Sequence, residues 1–126
     1  MDLKVKNLVH SYETLADQAT KLNTSYLNLL KIYDELNLAP DFLSQLEASN
    51  NSPLKLIQSM QRDKEAMLDK FTDLAKLISQ TQVSFTNNPE AEQLRAIAHD
   101  CQVMQKFISS IDLKDLQQMF VQLIDA

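Results

Sequence analysis

Val5, Leu8, Tyr12, Leu15, Ala19, Leu22, Tyr26, Leu29, Tyr33 and Leu36 recur at alternating spacings of three and four. Only an α-helix brings such positions onto one face, and the pattern holds for about five heptads. Val9, Ala16 and Leu30 widen the stripe on one flank, which suits a helix packed in a bundle better than a bare two-stranded seam. The a positions hold Tyr12, Ala19, Tyr26 and Tyr33 rather than the β-branched residues that favour parallel dimers. At ~1.5 Å per residue this helix is on the order of 48 Å long.

The same grammar recurs twice more. Residues 37–40, Asn-Leu-Ala-Pro, end the first helix, because the residue before a proline is biased away from helical geometry. Pro40 then opens a short accessory helix to Ala48, with Phe42, Leu43 and Leu46 on its apolar face. The loop-like stretch Glu47–Ser52 leads to Ser52-Pro53, an N-cap with proline at the first helical position. From there Ile57, Met60, Lys64, Met67, Phe71, Leu74 and Ile78 mark a helix to about Gln82. Lys64 interrupts that stripe; its stem can lie along the core while its ammonium reaches water. After a loop containing Val83 and Phe85, Asn88-Pro89-Glu90-Ala91-Glu92 combines a cap, a first-turn proline and acids at the positive end of the helix dipole. Leu94, Ile97, Cys101, Met104, Ile108 and Ile111 form the third stripe. Leu113, Leu116, Phe120 and Leu123 form the last, flanked by Met119, Val121 and Ile124, and Asp112 is placed to cap a separate final helix. Short connections favour antiparallel neighbours. The expectation is an all-α fold: one domain over residues 1–126, an antiparallel bundle of three long helices, or four if the chain breaks near residue 112, plus the accessory helix.

Composition removes other classes. The chain of 126 residues contains no glycine, so it lacks the residue that phosphate-cradling loops, the dinucleotide fingerprint and nucleophile elbows require. Hairpins lose their usual turn residue as well, which argues against a β-rich fold. With 12 basic and 17 acidic residues the formal charge is −5, a poor match for nucleic acid, whose binding rests on clustered Lys and Arg. One cysteine permits no internal disulfide, which favours a reducing compartment. The first residues lack the apolar core of a secretory signal, and no run approaches the ~20 apolar residues of a membrane span. The expectation is a cytoplasmic protein that contacts neither membrane nor nucleic acid.

Candidate sites are few. His99 falls opposite the Leu94/Ile97/Cys101/Met104 stripe and is expected to face outward. Leu94-Arg95-Ala96-Ile97-Ala98-His99 resembles the segment leading into the phospho-accepting histidine of histidine-phosphotransfer domains. That resemblance implies a phosphorelay role with His99 as acceptor. The family usually has a Lys three residues after the histidine and a Gly one further on; here Gln102 and Val103 stand there. His10 has no sequence neighbours that suggest a role. His99 and Cys101, two apart, cannot share a helix face, so neither a metal pair nor a Cys/His nucleophile is expected, and Cys101 reads as core packing. The acid pairs Asp34/Glu35, Glu90/Glu92 and Asp112/Asp115 read as solvated faces or first-turn acids, with no polar cluster at core phases where a bundle would build a metal or catalytic centre.

The expected function is therefore non-catalytic and cofactor-free: a helical adaptor, complex subunit or chaperone-like module that binds protein partners, themselves helical, through amphipathic faces. Val103 and Phe107 lie off the main stripe of their helix, either because it packs between two neighbours or because it offers an apolar patch. They and the margins at Leu30 and Ile32 are the expected partner-binding residues. Two alternatives remain open: phosphotransfer through His99, and a homo-oligomeric coiled-coil scaffold built on the first helix.

Overall fold

The computed structural model describes residues 3–39, 41, 45–46, 52–82 and 89–125. Four helices account for most of them: α1 (Leu3–Leu38), α2 (Pro53–Gln82), α3 (Pro89–Ser109) and α4 (Leu113–Asp125). No strand occurs among the described residues. The fold is an all-α helical bundle, and a break at Ile111–Asp112 makes α4 a separate element. Of the accessory helix, Asp41, Gln45 and Leu46 are helical; the rest of it, like Val83 and Phe85, lies outside the described residues.

The helix boundaries follow from local chemistry. Ser52 is the N-cap of α2, its Oγ accepting the Lys55 N–H at 3.3 Å. Asp112 caps α4 in the same way, with Oδ1 accepting the Asp115 N–H at 3.0 Å. Pro89 opens α3, and Glu90 and Glu92 occupy its first turn. Ala39 N–H returns to the Leu36 carbonyl at 3.1 Å and closes α1 ahead of Pro40.

Packing resolves into two compact units, each assembled from separated stretches of chain: Met1–Thr20 with Glu65–Ser110, and Lys21–Lys64 with Ile111–Ala126. In the first unit the start of α1, the end of α2 and α3 bury their stripes together, with Val5, Leu15, Phe71, Ile78, Leu94 and Ile108 in the core. Tyr12 meets Phe71 edge to face, with centroids 6.4 Å apart. Gln105 Nε2 donates to Thr72 Oγ1 at 2.8 Å, joining α3 to α2. In the second unit Leu29, Leu36, Ile57, Leu116 and Phe120 form the core. Tyr33 stands edge-on to Phe120 at 5.7 Å. The Gln61 and Gln117 amides pair across α2 and α4 at 3.3 Å.

The α1 heptad seam is consumed inside its own chain. Its aliphatic members are all buried, and Tyr12, Tyr26 and Tyr33 are half-buried at its edges. Lys64 makes a contact that its phase did not indicate. Its Nζ turns inward and donates to the Ile111 carbonyl at 2.8 Å, at the entry to α4. That carbonyl has left α3 and lies beyond the helical hydrogen-bond ladder, so it draws an ammonium that would otherwise be hydrated.

Candidate partner-binding face

On α3 the stripe Ala91, Leu94, Ile97, Cys101 and Ile108 is buried. Val103 follows Cys101 by two residues, which carries it roughly 160° round the helix from the core line. It is 49% exposed, and Phe107, one turn later, is 36% exposed. These two off-stripe residues therefore lie on open surface rather than in a second packing seam. They are neighbours at i, i+4 and form one short apolar ridge. The turn that carries Phe107 is secured by Ser110, whose Oγ donates to the Phe107 carbonyl at 2.6 Å and whose N–H reaches the Lys106 and Phe107 carbonyls.

His99 precedes Val103 by four residues and is exposed, as its phase required. Cys101 is fully buried, so the two do not converge. Burial pushes the Cys101 thiol up to about 11, with the Asp100 carboxylate adding to the effect. Such a thiol is almost wholly protonated at neutral pH, the opposite of an activated nucleophile. Burial also raises the Tyr12 phenol, with smaller contributions from Asp100 and Cys101. Among the described residues no group of three or more His, Cys, Asp or Glu is gathered as a metal site would need, and no helix is long and apolar enough to cross a membrane. Of the acid pairs, Asp112/Asp115 is held locally, the Asp112 carboxylate binding the Asp115 backbone as a cap.

Leu30 and Ile32 belong to the other unit and are half-buried. Ile32 borders a hollow of about 260 Å³ with Glu35, Leu36, Ala39 and Leu46. Leu27, one turn before Leu30, is more open than either.

The first unit also holds a groove between α1 and α2 that the sequence did not suggest. It measures about 510 Å³ and is bordered by His10, Thr14, Gln18, Lys70, Asp73 and Leu77. Leu77 is 50% exposed. It falls just off the Leu74/Ile78 stripe, so the off-stripe test that singled out Val103 finds it as well. For His10 no such signal exists, because its neighbours come from a helix sixty residues further on.

Comparison with protein-family models, curated proteins and solved structures gives no match.

Proposed function

We propose that this chain is a non-catalytic helical adaptor that binds a protein partner through the outer face of α3. The observation that carries the reading is the exposed Val103–Phe107 ridge, backed by a fully buried stripe on the same helix. Large apolar side chains presented side by side on a rigid element are the usual anchors of a helical interface. Covering their exposed portions contributes on the order of 3 kcal/mol at ~25 cal/mol per Å². That is enough to anchor contact but not to hold a complex alone, so flanking polar residues must supply register. Half-buried Leu30 and Ile32 offer a secondary margin on the other unit.

The test uses Phe107→Asp and Ile32→Asp chains, first confirmed folded by circular dichroism. Phe107→Asp is expected to weaken partner capture from native cells by at least tenfold, with Ile32→Asp having the smaller effect. Folded variants that retain every partner of the parent chain would remove the adaptor assignment from these faces.

The exposure of His99 supports a second reading, phosphotransfer to or from an aspartate receiver. Incubation with a phosphorylated receiver, followed by a search for acid-labile phosphate that His99→Gln abolishes, decides it. No label above the His99→Gln background ends that reading.

A further inference from the structure

We draw no further inference here: the strongest candidate, the open groove between α1 and α2 of the first unit bordered by His10, Lys70, Asp73 and Leu77, carries nothing, because its lysine and aspartate balance each other and nothing in the structure shows what covers it.

Discussion

Lys64→Met tests whether the inward turn of Lys64 stabilises the second unit. Methionine retains most of the aliphatic stem and removes only the donor, so packing along α2 changes little. The lost interaction is a 2.8 Å hydrogen bond from an ammonium to the Ile111 carbonyl. Bonds of this charge-assisted kind are worth roughly 1.5–3 kcal/mol. Two features place this one at the lower end. Lys64 is only half-buried, and the Ile111 carbonyl also accepts the Leu113 N–H at 3.1 Å, so it keeps one partner. The expected loss is about 1.5 kcal/mol. With an unfolding entropy near 2.1 cal/mol/K per residue, this lowers Tm by about 6 °C. Urea unfolding followed by circular dichroism provides the measurement: the midpoint falls while the slope stays constant, because the surface exposed on unfolding is unchanged. A Lys64→Met chain as stable as the parent, or more so, would mean that the ammonium belongs in water and that the geometry at the entry to α4 contributes nothing.

Two further outcomes follow from named contacts. Ser52→Ala and Asp112→Ala each remove a cap acceptor and should each cost about 1 kcal/mol in the same urea assay; additive losses are expected, since the residues share no partner. The raised Cys101 thiol makes stability depend on pH in the alkaline range. The folded state holds this proton more tightly than the unfolded chain, so stability is level below the ordinary thiol value of about 8.5. It then declines as pH rises through about 11. Alkaline unfolding of Cys101→Ala against the parent checks the slope, and a slope that is unchanged rules out Cys101 as its source.

The fold was largely legible because each helix states its own phase. Leu94, Ile97 and Cys101 sit where heptad spacing put them, and Ser52, Pro53, Pro89 and Asp112 mark the starts through chemistry that acts within one turn. The candidate site was legible only in part. An off-stripe residue such as Val103 or Leu77 is covered or open according to which helix lies beside it, and that depends on residues far away in the chain. Nothing within a turn of Lys64 indicates that a carbonyl forty-seven residues later will draw its ammonium inward. Nor could the grouping of His10 with Lys70 and Asp73 be read locally.

The two aromatic pairs also have an optical consequence. The chain has no tryptophan and three tyrosines, so tyrosine emission has no indole to drain it. Tyr12 stands against Phe71 in one unit and Tyr33 against Phe120 in the other. Replacing Tyr26 and Tyr33 by phenylalanine leaves Tyr12 as the sole fluorophore, and the converse replacement leaves Tyr33. Each unit then carries its own intrinsic lamp, and the order in which the two cores loosen becomes visible without an added dye.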